Sequence, residues 1–379
     1  LIQPAQDGCC LKKGLFAISY WLIVKKEYNL FKSISLSRIT INCHFGVERS
    51  FRKRIWQSGL KEARPEYKME KAIAITGATG FIGSALTKRL ASNGRRVQAL
   101  IRPESIHKKP CGEPVKWIQG DLDDVDSLRK LVSGADRVVH CAGTVRGADS
   151  QQFRRANVDG VSRLVKVIGE QQLSPRFLLI SSLTAREPQL SDYAASKHQG
   201  ERALMDSAGN MQWTVYRPCA VYGPGEREMM PVLRWMAKGL APLFGSGNGR
   251  FSMIYIADLA DAIEHWLHRP GGHRRTFELH DGKPAGYSWL DVINTISSLR
   301  GSPVVRLKIP VSIVNVAAAL NIALSRVFGY APMLTPGKVR ELSHADWSAD
   351  NADISEITGW SPKVQLAEGL QRTLGYNRN

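Results

Sequence analysis

The stretch Ala72-Ile73-Ala74-Ile75-Thr76-Gly77-Ala78-Thr79-Gly80-Phe81-Ile82-Gly83 joins a short apolar strand to a glycine turn and runs straight into the helical pattern Ser84 to Asn93. Gly77 permits the tight turn, Gly80 brings the backbone within reach of a pyrophosphate, and Gly83 lets the helix lie close on the strand, with the phosphates at the helix N-terminus. Thr79, Phe81 and Ile82 complete this cofactor-binding turn. Working outward, further short apolar strands are expected over Arg96 to Ile101, Val115 to Gln119, Arg137 to Cys141 and Arg176 to Ser181. Between them lie helices such as Ser127 to Val132 and Phe153 to Gln171. Strands alternating with helices predict an α/β fold, a Rossmann-type doubly wound parallel sheet.

At the end of the second strand of such a fold, a carboxylate selects NAD and a cation accommodates the extra phosphate of NADP. Here Ile101 is followed by Arg102, which favours NADP, with NAD as the alternative. Asp121, just past the strand 115–119, either hydrogen-bonds the adenine amino group or caps the next helix, and both roles stay open. Leu122 beside it, and Cys141, Ala142 and Gly143 past the next strand, fall at strand ends where ligand contacts gather.

Tyr193-Ala194-Ala195-Ser196-Lys197 puts a phenol and an ammonium one helical turn apart on one face. A free tyrosine is a poor base at neutral pH, but a nearby cation and a positively charged nicotinamide ring favour its phenolate. Tyr193 then exchanges a proton with a substrate hydroxyl while Lys197 supplies the charge. Ser182, past the strand 176–181, is placed to donate a hydrogen bond to the same substrate oxygen. Ser181 is the alternative holder of that role.

Together with Arg217-Pro218, Val221-Tyr222-Gly223-Pro224-Gly225, Tyr255 to Ala262, Gly359-Trp360-Ser361-Pro362 and Glu368-Gly369-Leu370, these motifs resemble the extended short-chain dehydrogenase/reductases, the NAD-dependent epimerase/dehydratase family, from about Lys71 onward. The resemblance implies catalytic Ser182, Tyr193 and Lys197, with Tyr193 and Lys197 also touching the cofactor. It further implies Pro218 near the nicotinamide and Asn157 near the cofactor side of the cleft. Three departures bear on substrate. Dehydratases of the family carry an Asp-Glu pair beside the catalytic hydroxyl, whereas Ser182 is followed by Leu183-Thr184. Many nucleotide-sugar enzymes place a diphosphate-holding Arg where this chain has Phe251, with Arg250 one residue off. The interval from Ser182 to Tyr193 is also short. The expected activity is hydride transfer between a nicotinamide and a secondary alcohol or ketone of a small molecule; a sugar epimerase is second, and a non-catalytic dinucleotide-binding regulator is the rival from another class.

Composition excludes little. The net charge of +18 invites a nucleic-acid reading, but residues 1–68 hold 13 Lys and Arg against 5 Asp and Glu, and the rest is spread without a basic run, so no nucleic-acid partner is expected. Six cysteines without CxxC spacing argue against a metal site or disulfide framework and for a reducing, cytoplasmic setting. Residues 1–68 read as a non-native or disordered extension, with Met69 as the start; their apolar run Gly14 to Val24 is shorter than a span of roughly 20 residues. A dinucleotide-binding domain is expected over 69–225 and mainly a smaller substrate-binding lobe over 226–379. Within that lobe, helices are expected at Met229 to Lys238, Asp258 to His268 and Ser288 to Leu299, with a strand at Thr276 to His280. The apolar run Ile309 to Leu324, interrupted by Ser312, Asn315 and Asn321, reads as a helix packed on the lobe, without stable membrane insertion; lining an apolar substrate pocket or touching a membrane surface are the alternatives. A homodimer through the Tyr193 helix would suit the family pattern.

Overall fold

Seven parallel strands form one sheet: β1 (Ala72–Thr76), β2 (Val97–Ile101), β3 (Val115–Gln119), β4 (Ala135–His140), β5 (Arg176–Ile180), β6 (Trp213–Pro218) and β7 (Arg275–Leu279). Their spatial order is β7-β6-β5-β4-β1-β2-β3. The computed structural model describes residues 71–376 apart from 111–113, 245, 246 and 248. The expectations for residues 1–68 and for Cys9, Cys10, Cys43 and Cys111 lie outside the described residues. Met69–Asn379 forms one compact unit.

The sheet is sandwiched because its strands are apolar on both faces. All five residues of β1, β2 and β5 are buried, the pattern of a parallel sheet with helices on each side. Side chains alternate between two cores. Ile73, Ile75, Leu178 and Ile180 enter one, and Ala74, Phe177 and Leu179 enter the other. Helices α1 (Phe81–Ser92) and α5 (Ile256–His268) cover the first face; α2 (Val125–Val132), α3 (Gly160–Glu170) and α4 (Asp192–Ser207) cover the second. Arg89 of α1 ties the first layer together by pairing with Asp261 and Glu264 of α5, each at 2.5 Å. Since β1 pairs with β2 on one side and β4 on the other, the winding reverses there. The crevice outside that reversal is where an open α/β sheet holds its ligand.

Two sequence expectations need correction. The strand predicted for the smaller lobe at Thr276 to His280 instead pairs in parallel with β6 and becomes the sheet's seventh strand. The break at 225/226 is therefore not a break in space, because α5 and β7 return to the dinucleotide-binding layer. The single helix expected over Phe153 to Gln171 is divided into Ser150–Arg154, a π-helical turn Arg155–Asp159, and α3.

The smaller lobe has its own core, built on Tyr222, Leu233, Leu243, Tyr255, Ile293 and Leu370. It also contains strand β8 (Val305–Ile309), then α6 (Val311–Phe328) and α7 (Pro336–Ser343). The expectation that the apolar run from 309 packs on the lobe holds only along a narrow line. Val314, Ala318 and Ser325 are the buried residues of α6.

Candidate active site

The glycine turn closes as the motif requires. Gly77 has φ +68°, and a Cβ there would meet the Ala142 nitrogen at 2.6 Å. A Cβ on Gly83 would stand 2.1 Å from the Gly77 carbonyl oxygen, so any side chain would push α1 off the turn. The first turn of α1 carries no carboxylate, and its N-cap residue Gly80 makes no side-chain hydrogen bond. Gly80 is exposed, with Thr79, Phe81 and Ile82 half-buried beside it. An uncapped helix N-terminus over a side-chain-free cradle fits the pyrophosphate of a dinucleotide.

Thr76 joins this turn to the end of β4. Its carbonyl accepts from Cys141 N at 3.2 Å, and its hydroxyl accepts from Ala142 N at 3.3 Å and bonds His140 Nδ1 at 2.9 Å. Asn157, placed by the π-helical turn, fixes the next residues. Its Oδ1 accepts from Thr144 N at 2.9 Å, while Nδ2 donates to Thr144 O at 3.0 Å and to Ser196 Oγ on α4 at 2.9 Å. A Cβ on Gly143 would lie 3.4 Å from Lys197 Nζ. The segment Cys141–Thr144 thus touches the glycine turn on one side and the Tyr193–Lys197 helix on the other.

On that helix, Ser191 caps the N-terminus by accepting from Ala194 N at 2.9 Å. Lys197 Nζ donates to Ile180 O at 3.1 Å. Burial pushes this ammonium down to about 8, with Glu201 and Cys141 pulling it back up. Tyr193 packs its ring against Phe153 at 6.0 Å between centroids. Burial first, and the Glu341 carboxylate as well, push the phenol up to about 12, while its hydrogen bonds with Ser182 and Thr184 pull the other way. The Ser182 hydroxyl in turn accepts from Thr184 Oγ1 at 2.9 Å and Thr184 N at 3.3 Å. The cation one turn away is not what sets the phenol here. Lys197 spends a hydrogen on a carbonyl, and desolvation dominates.

Ser181 is committed elsewhere. Its hydroxyl donates at 2.5 Å to the buried Glu201, which Arg217 grips through Nε at 2.9 Å and Nη2 at 2.5 Å. Of the two serines, only Ser182 faces the phenol.

The remaining predicted residues line the same C-terminal edge of the sheet. Pro218 ends β6, buried and in register with Leu279. Arg102 follows β2 and lies exposed, 3.2 Å from Glu104. Leu122 packs on Gly160, and its carbonyl accepts from Arg163 at 2.8 Å. Asp121 bonds the backbone of Asp123 and Asp124, at 2.8 and 3.0 Å; Asp124, not Asp121, caps α2.

Thr184, Glu201 and Glu341 were not anticipated. Glu201 left a trace, since 193, 197 and 201 repeat at four residues along one helix face. Glu341 left none. It reaches the site across the fold, bonding Ser191 Oγ and accepting from Lys338 Nζ at 2.8 Å. At the position where nucleotide-sugar enzymes are expected to carry a diphosphate-holding cation, Phe251 packs on Trp289 with centroids 4.9 Å apart and the rings tilted by 45°, and Arg250 turns to Asp291 at 3.4 Å.

Residues 73–279 match the family model described as the NAD dependent epimerase/dehydratase family. Among curated relatives, a ceramide reductase of Caulobacter vibrioides is 32% identical over 306 residues, spanning 81% of this chain and 94% of its own length. A UDP-glucose 4-epimerase of Vibrio cholerae is 24% identical over 335 residues, 81% of this chain and 95% of its own. A sterol-4-alpha-carboxylate 3-dehydrogenase of Saccharomyces cerevisiae is 24% identical over 348 residues, 80% and 97%. Among solved structures, a UDP-glucuronic acid 4-epimerase of Bacillus cereus with UDP-glucuronic acid and NAD superposes with a TM-score of 0.63 at 22% identity, covering 80% of this chain and 98% of that one.

Proposed function

The chain belongs to the NAD-dependent epimerase/dehydratase family, an enzyme class of hydride-transfer oxidoreductases and epimerases, and on that premise we propose that it interconverts a ketone and a secondary alcohol on an apolar substrate, with NADP(H) preferred. One observation carries the substrate reading. The tilted Phe251–Trp289 pair offers an apolar surface where a nucleotide sugar would need a cation, and an unpaired diphosphate there would be strongly disfavoured. The likeness to a ceramide reductase and a sterol dehydrogenase supports the same direction. Arg102, the residue that follows β2, supports NADP, with Glu104 3.2 Å from its guanidinium.

When bound, the nicotinamide supplies or takes up the hydride. The protein's own residues handle the oxygen and its proton. Ser182, oriented by Thr184, donates a hydrogen bond to the substrate oxygen. Tyr193 gives that oxygen its proton in reduction and removes it in oxidation. Lys197, held by Ile180 O and 3.4 Å from where a Cβ on Gly143 would stand, is the cation that would help hold the bound cofactor. Asn157 locks the Cys141–Thr144 segment to the helix carrying both side chains, so proton donor and cofactor cradle keep one spacing.

Single-turnover absorbance at the nicotinamide band tests this with long-chain ketones against UDP-glucose. The expected result is NADPH oxidation by the ketones, with Arg102→Ala eroding the preference for NADPH over NADH about tenfold or more. Epimerised UDP-glucose without net absorbance change would overturn the reading. A second outcome concerns Glu341. Its carboxylate opposes the phenolate, so Glu341→Gln lowers the pKa of Tyr193. In the oxidising direction, where the phenolate is the working form, activity rises at lower pH than in the parent; an unmoved profile would separate Glu341 from the phenol.

A further inference from the structure

Helix α6 faces the wrong way for a helix of a water-soluble lobe. Ile313, Val316, Leu320, Leu324, Val327 and Phe328 recur at spacings of three and four, which places them on about a third of the helix circumference. All six are exposed, Val316 at 61%, Leu320 at 59%, Val327 at 77% and Phe328 at 73%. The buried line through Val314, Ala318 and Ser325 occupies a different side, where Val314 and Ala318 pack with Val339 of α7. The strand leading into the helix continues the pattern, with Val305 65% exposed and Leu307 47% exposed. A contiguous uncovered apolar surface of this kind marks a contact site.

We infer that α6 and β8 lay the protein on an anionic bilayer, with the helix axis in the plane of the headgroups. Charge identifies the occupant. From Val292 to Arg340 the chain holds no Asp or Glu, but it does hold Arg300, Arg306, Lys308, Arg326, Lys338 and Arg340. Arg306 and Lys308 are exposed and alternate with Val305 and Leu307 along β8, so they leave the opposite face of the strand and reach the headgroups by their long stems from its edge. An apolar stripe bordered by cations is the make-up of an interfacial helix, apolar side chains entering the acyl boundary and cations meeting lipid phosphates. A second copy of this chain would instead set one basic rim against another.

The helix lies flat; it does not cross. Its 18 residues between Pro310 and Gly329 are long and apolar enough to cross by length and composition alone, so what holds it flat is its polar ties to neighbouring segments. Asn321 Nδ2 donates to Leu334 O at 2.9 Å, and Tyr330 donates to Asn321 Oδ1 at 2.6 Å. Crossing would expose those polar groups to hydrocarbon. The surface adjoins the catalytic helix through α7, whose Arg340 donates to Leu190 O at 2.8 Å and whose Glu341 bonds Ser191. The attachment stands on α6 and β8 alone and does not depend on the substrate reading.

Flotation of the full chain with phosphatidylcholine vesicles, and with mixed phosphatidylcholine and phosphatidylglycerol vesicles, tests it. The expected result is binding to the mixed vesicles that weakens as salt is raised. Leu320→Asp with Val327→Asp lowers the partition coefficient about 100-fold, roughly tenfold for each apolar side chain withdrawn. Arg306→Glu with Lys308→Glu removes the preference for the anionic vesicles. Both variants alter exposed positions, so melting temperature and cofactor affinity stay at the parent values. Absence of flotation, or flotation unchanged in the Asp variant, would overturn the inference. So would a concentration-dependent dimer that the Asp variant breaks in a protein that ignores vesicles.

Discussion

Tyr193→Phe is expected to cut turnover by about 10²- to 10⁴-fold, the contribution of a positioned proton donor, while cofactor affinity and melting temperature stay at their parent values. The substitution removes one oxygen and little else. The ring keeps its packing on Phe153, Ser191 still caps the helix, and Lys197 remains on Ile180 O. The glycine turn is untouched, because it meets the catalytic helix only through Cys141–Thr144. The loss therefore falls on the chemical step, and single-turnover rates with saturating cofactor separate it from binding. Thr184→Val gives a graded companion. It removes a hydroxyl that bonds both Ser182 and Tyr193 but leaves the phenol in place, so its rate lies between the parent and Tyr193→Phe. A Phe variant that turns over at the parent rate would remove Tyr193 from the chemistry and shift the search for the proton donor to Ser182.

The parts of the molecule legible in the sequence are those whose determinants lie close together in the chain. The first strand, turn and helix are local: four apolar residues and a threonine, three glycines at fixed spacing and a helical pattern agree over 72–93. Tyr193 and Lys197 belong to one turn of one helix, and their link to the cradle follows from the parallel sheet, which brings the ends of β1, β4 and β5 to one edge. What stayed hidden depends on chain reversal. The segment Thr276 to His280 reads as a strand, but nothing local says that it returns to β6. Glu341 arrives at the phenol from a helix almost 150 residues away in sequence. For α6, the apolar run reads as a helix packed on the lobe, and its composition does not show that only Val314, Ala318 and Ser325 are buried. The choice between Ser181 and Ser182 also waited on the fold, since adjacent residues past a strand end point different ways and only Ser181 meets Glu201.

That contact sets the second large effect. Arg217→Ala leaves the carboxylate of Glu201, whose side chain is 2% exposed, without its ion-pair partner. Stranding one member of a buried pair costs about 3–5 kcal/mol, a fall in melting temperature on the order of 10 °C for a unit of this size. Glu201→Gln should cost less, for a geometric reason. The stranded group is then Arg217, whose side chain is 18% exposed and can turn its guanidinium toward water, while the introduced amide can still accept from Ser181. The milder variant carries its own functional signature. Glu201 raises the pKa of Lys197 against the burial that holds it near 8, so in Glu201→Gln the ammonium loses its proton at a lower pH. The alkaline limb of the activity profile then moves toward neutrality, even though the substituted side chain touches neither substrate nor cofactor. Calorimetry on both variants and a pH profile on the second separate the two roles. Equal melting temperatures for Arg217→Ala and the parent would mean that the pair is solvated rather than buried. An unmoved alkaline limb in Glu201→Gln would mean that the third residue of the 193, 197, 201 stripe holds β5 and β6 together without tuning the ammonium one turn before it.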